Sequence, residues 1–564
     1  MKLLRSMQSV FELTENNFST QLAGEVCSAI LDRLDNLSEN EIKELDKDIL
    51  KGIIDVHKEY MVIIEPKEEA EKFAELRELH VAEKYLRCPF FEKRVRGINE
   101  LKEISFKVMN SLVKNKGEQL EFSKWLTVDS YCAWLTEHKI IEFIFIENPH
   151  VELIRRSFEV MRMLANDDKY FTNEVIEMLW VCCSEKHEDI VRASLDLVQD
   201  LALYMPLEKL SLFSSKFKQL KETDYDEKLV YFLKNYTLNT MKNIVRLRNS
   251  QKQSLMNKLI KGKEVKIDET KYIDLTLFWQ IFQESYKVAP KVKDLALNSL
   301  VELLQEFNDS DQKSRFMSLA LENIKRGDTF FSSLIFLRKV LNTFPLDAQV
   351  KFKGSGSTIT VSTVLQEIVS KVPLFDLILQ NLKEYMRSAK ASESHEDFIG
   401  AVTGFIEYVL VNSKMTLTFD QVEIMFQLMV TKAVSEFESN ALFDLITKEN
   451  EISKSKERRF LLDDKVRNEV FQKIFCNSKY LNFEKMNMEG FSCFKRLFLI
   501  VNEEDKLLEA PKEDRVVVIN LNSLQGLDTL WLIAIMCDNA QVKELCKNFL
   551  VDLYLKIKTT KSGA

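Results

Sequence analysis

The side chains that come closest to a reactive group are Cys182, Cys183 and His187, which lie within six positions of one another. A thiol beside an imidazole is the pair that cysteine nucleophiles use, because the imidazole can take the thiol proton. Here the two cysteines end an apolar helical stretch, and a thiol among apolar side chains keeps its proton. The neighbouring sequence also offers no donors for an oxyanion. We therefore interpret both cysteines as residues of a helical core and predict no catalytic residue.

No other motif in the sequence indicates a metal or a cofactor. The six histidines have no Cys or Asp at metal-ligand spacing, and the chain contains no Cys-x-x-Cys. Gly354 and Gly356 lack the Lys-Ser/Thr pair that completes a phosphate-binding loop. The carboxylates are dispersed, so no general acid and base stand out. We predict no metal site and no cofactor.

The elements that hold these side chains are predicted to be helices. Of the 564 residues only 13 are Gly and 8 are Pro, which is too few for the turns of a sheet protein. Hydrophobic residues make up 46% of the sequence, enough for a large core. Long alternating strand patterns are absent. The composition therefore predicts an all-α fold.

Charge and hydropathy exclude several classes of partner. The formal net charge of −8, with acidic and basic residues interspersed, predicts no attraction to nucleic acid or to an anionic membrane. No apolar run reaches the roughly 20 residues of a membrane span, and the N-terminus lacks the features of a secretory signal. The nine cysteines lie mostly on apolar helical faces, which is typical of reduced thiols. We expect a cytoplasmic protein, with the nucleus as a second location.

One helical hairpin recurs along the chain. Its first copy, Val175 to Tyr204, has a helix that ends near Trp180, a polar turn and a second helix. Any two amphipathic helices share this spacing, but the match over thirteen residues between the second and third copies favours true repetition. Alignment of the second helices places four sets in register: Ile190, Val292 and Val542; Ala193, Leu295 and Leu545; Ser194, Ala296 and Cys546; Leu201, Leu303 and Leu553.

The recurrence predicts an α-solenoid of stacked helical hairpins. Six residues at equivalent positions are predicted to be buried core anchors between hairpins: Trp180, Trp279, Trp531, Ile190, Val292 and Val542. The predicted organisation is a helical block at 1–245, a basic linker or long loop at 246–270, a second block at 271–557 interrupted near 346–360 and 448–460, and a frayed tail at 558–564.

Three segments leave two interpretations open. The Gly-Ser-rich stretch at 350–364 is either one short β-hairpin or a loop between helices. The basic residues of 246–266 indicate either a site for phosphate or acidic groups or a solvated loop, and the lack of aromatic residues favours the loop. Lys454, Lys456, Arg458 and Arg459 indicate either a nuclear-import patch or an exposed helix end.

Several segments, in order, resemble the long armadillo/HEAT-like region that lies upstream of the catalytic domain in giant ubiquitin-specific peptidases of the fat-facets type. They are KYLRCPFFEKRVRGINELKEI (Lys84–Ile104), WLT (Trp125–Thr127), the run from Ile140 through HVELIRRSFEVMRMLA, LWVCCSEKHEDIVRASLDLVQDLA, EGFSCFKRLFLIVN (Glu489–Asn502) and LQGLDTLWLIAI (Leu524–Ile535). The resemblance runs in patches from about residue 84 to 555, and 345–460 carries little of it.

The sequence departs from that family at the catalytic positions. The peptidases carry a Cys box with Asn-x-x-x-x-Cys and a distant His box, whereas no Cys here has that setting and no His follows His395. The resemblance therefore implies a non-catalytic scaffold like the substrate- or regulator-binding arm of a large deubiquitinase. It implies protein partners, ubiquitinated substrates among them. The alternative is an armadillo/HEAT-type adaptor in transport or complex assembly, unrelated to ubiquitin.

Overall fold

The computed structural model describes residues 20–44, 47–114, 125–184, 186–257, 272–307, 310–345, 359–413, 415–448, 460–509 and 517–555. Most of these residues are helical, as the scarcity of Gly and Pro predicts. The chain divides into two compact units, Met1–Ile281 with Val288–Ser299, and Phe282–Lys287 with Leu300–Ala564. The division thus lies near residues 282–299 and not at the predicted linker, 246–270.

The helices of the first unit follow one another along the chain. They are α1 (Thr20–Asp35), α2 (Glu39–Glu44), α3 (Lys47–Ile64), α4 (Lys67–Arg87), α5 (Phe91–Lys114), α6 (Val128–Glu137), α7 (Ile140–Glu142), α8 (Val151–Arg156), α9 (Phe158–Ala165), α10 (Asn173–Ser184), α11 (Glu188–Leu201), α12 (Leu207–Phe217), α13 (Glu227–Asn257), α14 (Thr276–Ile281) and the first residues of α15 (Pro290–Phe307).

The second unit continues the same architecture. Its helices are the remainder of α15, α16 (Ser310–Arg326), α17 (Phe330–Leu341), α18 (Val361–Lys371), α19 (Leu374–Met386), α20 (Glu393–Asn412), α21 (Phe419–Phe426), α22 (Glu436–Thr447), α23 (Asp464–Val470), α24 (Met488–Glu504), α25 (Leu527–Met536) and α26 (Ala540–Leu555). Two short strands, β1 (Leu508–Glu509) and β2 (Val517–Val518), pair in antiparallel fashion after α24.

Consecutive helices pack as hairpins, and alternate helices pack side by side. In the first unit α10 packs on both α11 and α12, while α11 also packs on α13. In the second unit α22, α24 and α26 form one such row, and α25 pairs with α26. Each helix buries one stripe of its surface against its hairpin partner and its neighbours in the row. This arrangement is the stacked-hairpin solenoid that the sequence predicts.

The predicted register of the repeat holds at the innermost positions. Ser194, Ala296 and Cys546 are all buried, which leaves room for the paired helix to approach. The leucines at the end of the second helices are buried in all three copies: Leu201, Leu303 and Leu553. The set Ala193, Leu295 and Leu545 does not hold throughout, because Leu545 is 43% exposed. The 3,4-spacing of apolar residues therefore identified part of the core stripe of these helices.

Several helix starts follow the expected capping chemistry. Ser38 with Glu41 and Thr418 with Gln421 have the sequence spacing that predicts a capping box, and both boxes form: the backbone amide of Ser38 donates to the Glu41 carboxylate at 3.0 Å, and that of Thr418 to the Gln421 side chain at 3.1 Å. Asn148 followed by Pro149 predicts a helix that begins at Asn148, and this prediction is wrong by two residues. His150 caps α8 there, its Nδ1 accepting a hydrogen bond from the Glu152 amide at 3.2 Å.

Three helices end in a π-helical turn. The turns span Phe143–Glu147 after α7, Gln427–Thr431 after α21 and Phe471–Phe475 after α23. Each is closed by a backbone hydrogen bond to the carbonyl five residues earlier, for example from Asn148 N to Phe143 O at 2.9 Å. Such a turn holds one residue more than an α-helical turn.

The helices α4 and α5 approach so closely that only glycine fits at their crossing. A Cβ atom on Gly97 would lie 2.4 Å from the backbone nitrogen of Leu86 and 2.8 Å from the carbonyl oxygen of Ala82. Backbone atoms cannot move aside as a flexible side chain can. Gly97 thereby fixes the distance between these helices.

The structure answers two predictions in part: the linker or long loop at 246–270 and the β-hairpin at 350–364. Residues 246–257 lie in α13, so the linker prediction is wrong for them, and 258–271 lie outside the described residues. Val361–Val364 begin α18, with Thr360 as its N-cap, so they form no β-hairpin. Residues 346–358, and the basic segment at 449–459, lie outside the described residues.

Candidate interaction surface

The cysteines and the histidine of the first hairpin do not form a reactive pair. Cys182 is buried, and its Sγ donates to the Phe145 carbonyl at 2.9 Å. Burial raises the pKa of Cys182 and holds the pKa of Cys183 well above its ordinary value. The imidazole of His187 is exposed and caps α11, where its Nδ1 accepts from the Asp189 amide at 3.4 Å. A buried thiol and a solvent-facing imidazole lack the contact that nucleophilic catalysis requires.

The remaining cysteines are structural as well. All nine are free thiols, and all except Cys476 are buried. Burial raises the pKa of Cys476 to about 11. Among the described residues no cluster of three or more His, Cys, Asp or Glu side chains could hold a metal ion. In the same part of the chain, none of the helices combines the length and the apolar character that a bilayer span requires.

A buried polar cluster joins α19, α20 and α22. The Nε2 atom of His395 lies 2.8 Å from a Glu438 carboxylate oxygen, and the Tyr385 hydroxyl lies 3.1 Å from Nδ1 of the same ring. The Glu438 carboxylate also accepts from the amides of Val434 and Ser435, at 2.9 and 2.8 Å. Both His395 and Glu438 are fully enclosed, so the cluster positions helices and offers no access to a substrate.

Sequence reasoning missed this cluster, although one signal was present. Ser435 and Glu438 have the spacing of a capping box, and the structure forms it. The capping box does not predict the contact of Glu438 with His395. His395 lies forty-three positions from Glu438, and no local sequence pattern connects the two residues.

The predicted core anchors separate into three groups. Val292 and Val542 are buried, and Ile190, Trp180 and Trp279 are partly buried. The prediction is wrong for Trp531, whose side chain is 43% exposed. The helix that covers Trp180 is α12, through Phe213 and Phe217, whereas the ring contact of Trp531 is with Tyr554, on its own hairpin, at 6.1 Å.

Exposed apolar side chains are concentrated on the hairpin of α25 and α26. Eight large hydrophobic residues there are exposed: Trp531, Leu532, Ile535, Met536, Leu545, Val551, Tyr554 and Leu555. Leu545 also lines a shallow hollow of about 450 Å³ beside Met488 and Ala540. An exposed apolar surface of this density is a site where a further segment of a longer chain or another macromolecule can pack. This hairpin is the strongest candidate for such a site among the described residues.

The family model and the relatives that match this chain all indicate one family. A family model described as the UBP24/USP9X/USP9Y ARM repeat matches residues 71–502. Ubiquitin carboxyl-terminal hydrolase 9Y of Homo sapiens is 22% identical in an alignment of 559 positions that covers 93% of this chain and 20% of that protein. Ubiquitin carboxyl-terminal hydrolase 9X of Mus musculus is 21% identical in an alignment of 539 positions that covers 90% of this chain and 20% of that protein. The chain spans about a fifth of the length of these relatives.

Proposed function

Because this chain belongs to the UBP24/USP9X/USP9Y armadillo-repeat family, we propose that it is a protein-binding arm of the deubiquitinase type. It is homologous to the non-catalytic N-terminal part of the 9X and 9Y hydrolases, whose catalytic domain is not part of this chain. The observation that carries the proposal is the family match over residues 71–502. Stacked hairpins form long continuous surfaces, and helical solenoids commonly bind other proteins along such surfaces.

The partners we propose are the protein substrates or regulators of a deubiquitinase, including proteins that carry ubiquitin. The exposed apolar hairpin α25–α26 supports contact with a protein and not with nucleic acid, since the chain has a net charge of −8. We propose a cytoplasmic location, with the nucleus second, which the nine free thiols support.

The alternative, an adaptor in transport or assembly unrelated to ubiquitin, is weaker. Helical solenoids of that kind share the architecture, so the fold alone does not separate the two. The family match favours the deubiquitinase-type scaffold, because it distinguishes this armadillo-repeat family from others.

One experiment tests the non-catalytic part of the proposal. The purified chain is incubated with a fluorogenic substrate at the ubiquitin C-terminus and with a thiol-reactive ubiquitin probe. We expect neither turnover nor a covalent adduct, because the thiols are buried or keep their protons at neutral pH. Turnover, or an adduct lost when a single cysteine is replaced, would make this chain an enzyme.

A second experiment tests the binding part. Proteins recovered by proximity labelling with the intact chain are purified singly, with and without attached ubiquitin. Their binding to the purified chain is then measured by interferometry. We expect at least one to bind saturably as a purified protein. If none of the recovered proteins binds the purified chain, the scaffold proposal fails.

A further inference from the structure

We infer that His57 makes the contact between α1 and α3 sensitive to acid. A proton on the His57 imidazole releases the N-terminal half of α1 from α3, while the C-terminal end of α1 stays bound to α4. The inference concerns a change of conformation and does not depend on the proposed binding function.

His57 belongs to α3 and is enclosed by the packing around that helix. The residue is 1% exposed, and among the described residues neither imidazole nitrogen has a hydrogen-bond partner. A buried polar group without a partner is unfavourable, and a buried charge without a partner is far more unfavourable. A proton added to this ring therefore opposes the packing around it.

The contact that the proton disturbs is apolar. Tyr60 and Met61 follow His57 by three and four positions, so the three side chains lie on the same side of α3. The Sγ atom of Cys27 in α1 donates to the His57 carbonyl oxygen at 3.9 Å. The N-terminal half of α1 packs on this side of α3 in one buried cluster, whose members are Ala23, Cys27, Val56, Tyr60, Met61 and Ala70.

The titratable groups that face His57 do not stabilise a positive charge on its ring. They are Cys27 from α1 and Arg77 from α4. Burial raises the pKa of Cys27 to about 11, so its thiol stays neutral in mild acid. Arg77 carries a positive charge, which repels a second one on the imidazole.

Two carboxylates of these helices are paired with other cations. Asp35 of α1 accepts from Arg77 at 2.9 Å, and Glu71 of α4 pairs with Lys58 at 3.6 Å. A protonated His57 would therefore be a buried cation without an anion of its own. Such an ion is avoided either by loss of the proton or by opening of the contact to water.

The pH range follows from the direction of the pKa shift. An unfolded histidine has a pKa of about 6.5. Burial first, and Arg77 second, lower the pKa of His57 in the folded protein below that value. Because the open form binds the proton more readily, the closed contact keeps its full stability above about pH 6.5 and weakens as the pH falls through that value.

The C-terminal end of α1 is held by contacts that do not involve His57. The ammonium group of Lys84 in α4 donates to the carbonyl oxygens of Leu34 and Asp35, at 2.7 and 2.6 Å. A lysine keeps its positive charge in acid, so these hydrogen bonds persist. The end of α1 at Asp35 thus remains attached, and the half that carries Cys27 moves away from α3.

The thiol of Cys27 measures the opening. The full chain is treated between about pH 7 and about pH 5.5 with dithiodipyridine, a disulfide that modifies accessible thiols in mild acid, and each cysteine is followed by mass spectrometry. The rate divided by that of the unfolded chain at the same pH gives the open fraction. We expect this fraction to rise about eightfold at Cys27 over the range. Cys132, buried in α6 of the same unit, should show no such rise.

Two variants assign the effect to the imidazole. The side chains in His57→Leu and His57→Gln take up no proton in this range, so the open fraction at Cys27 should not change with pH. The matched control is His187→Asn, at a side chain that is 77% exposed, where Asn can still cap α11. This variant should keep the full rise. Circular dichroism and the thermal midpoint of each variant at neutral pH check its fold.

Three results would overturn the inference. The first is an open fraction at Cys27 that stays constant in the unmodified protein, and the second is an equal rise in His57→Leu or His57→Gln. The third is an equal rise at Cys27 and Cys132, which shows unfolding of the whole unit and needs no variant that folds. The experiment contains no partner protein, so its failure leaves the proposed function untouched.

Discussion

At the scale of single residues, burial decides what the cysteines can do. Cys476 is the only one that is not fully buried, and its pKa of about 11 leaves about one thiolate in a thousand at pH 8. We predict that iodoacetamide labels native Cys476 slowly, with a rate that rises about tenfold per pH unit up to about pH 10. Mass spectrometry of labelled peptides measures this rate. A plateau near pH 9 would contradict it, and the unfolded chain serves as the control.

The carboxylate of Glu438 makes stability depend on pH. Burial raises its pKa, but hydrogen bonds from the Val434 amide, His395 and Ser435 outweigh burial, so the folded pKa lies below the ordinary value. A carboxyl with a lowered folded pKa stabilises the fold above its unfolded pKa, and this contribution is lost as the pH falls through the folded value. We predict that Glu438→Gln lowers the unfolding free energy at pH 7 by about 1–3 kcal/mol.

The difference in unfolding free energy between Glu438→Gln and the unmodified protein should shrink as the pH falls below the ordinary pKa of a glutamate, about 4.3, and through the lower folded pKa of Glu438. Urea unfolding at pH 7 and in the acid range measures it. The matched control is Glu436→Gln, two residues earlier and exposed, which should change stability by less than about 0.5 kcal/mol. If Glu438→Gln lowers the unfolding free energy by the same amount at every pH in this range, Glu438 does not stabilise the fold through its charge.

At the scale of elements, the close crossing of α4 and α5 depends on Gly97, which has no side chain. Gly97→Ala places a methyl group within 3 Å of the backbone of Leu86 and Ala82, so the helices must separate. We predict a loss of about 1–3 kcal/mol, measured by chemical unfolding. Gly400→Ala in α20 is the control, because the nearest atom to its new methyl group is 4.0 Å away. It should stabilise by about 0.5–1 kcal/mol, and an equal loss in both variants would refute the packing argument.

Periodicity predicts which face of a helix is apolar, and it did so for the second helix of the hairpin that contains Trp180. It does not predict whether a further helix arrives to cover that face. For Trp180 the covering helix follows within the described chain, and for Trp531 it does not. The difference lies in tertiary packing beyond the hairpin, so the sequence pattern alone could not separate a core tryptophan from a surface one.

At the scale of the whole molecule, stability is expected to be a sum of local contributions from neighbouring hairpins. Trp180→Ala removes the ring that α12 packs on and should cost about 3 kcal/mol, whereas the exposed Trp531→Ala should cost about 1 kcal/mol. We predict that hydrogen exchange in Trp180→Ala rises in α10 to α13 and stays unchanged in α20 to α24. A uniform rise along the chain would contradict the repeat architecture.

The family and the fold were predictable because they depend on features spread over many residues. Segments such as LWVCCSEKHEDIVRASLDLVQDLA identified the family, and the matched range, 71–502, includes 345–460, where the resemblance was weak. The candidate interaction surface was not predictable in this way. It depends on how much of Ile535 and its neighbours remains uncovered, which only the assembled helices determine.

The three π-helical turns bear on how this chain and its relatives have diverged in length. A turn with one extra residue absorbs a single insertion at the end of a helix without rotating the helix before it or shifting the next one. Removal of one residue would restore an ordinary α-helical turn. We therefore expect one-residue gaps between this chain and its relatives to fall at Phe143–Glu147, Gln427–Thr431 and Phe471–Phe475.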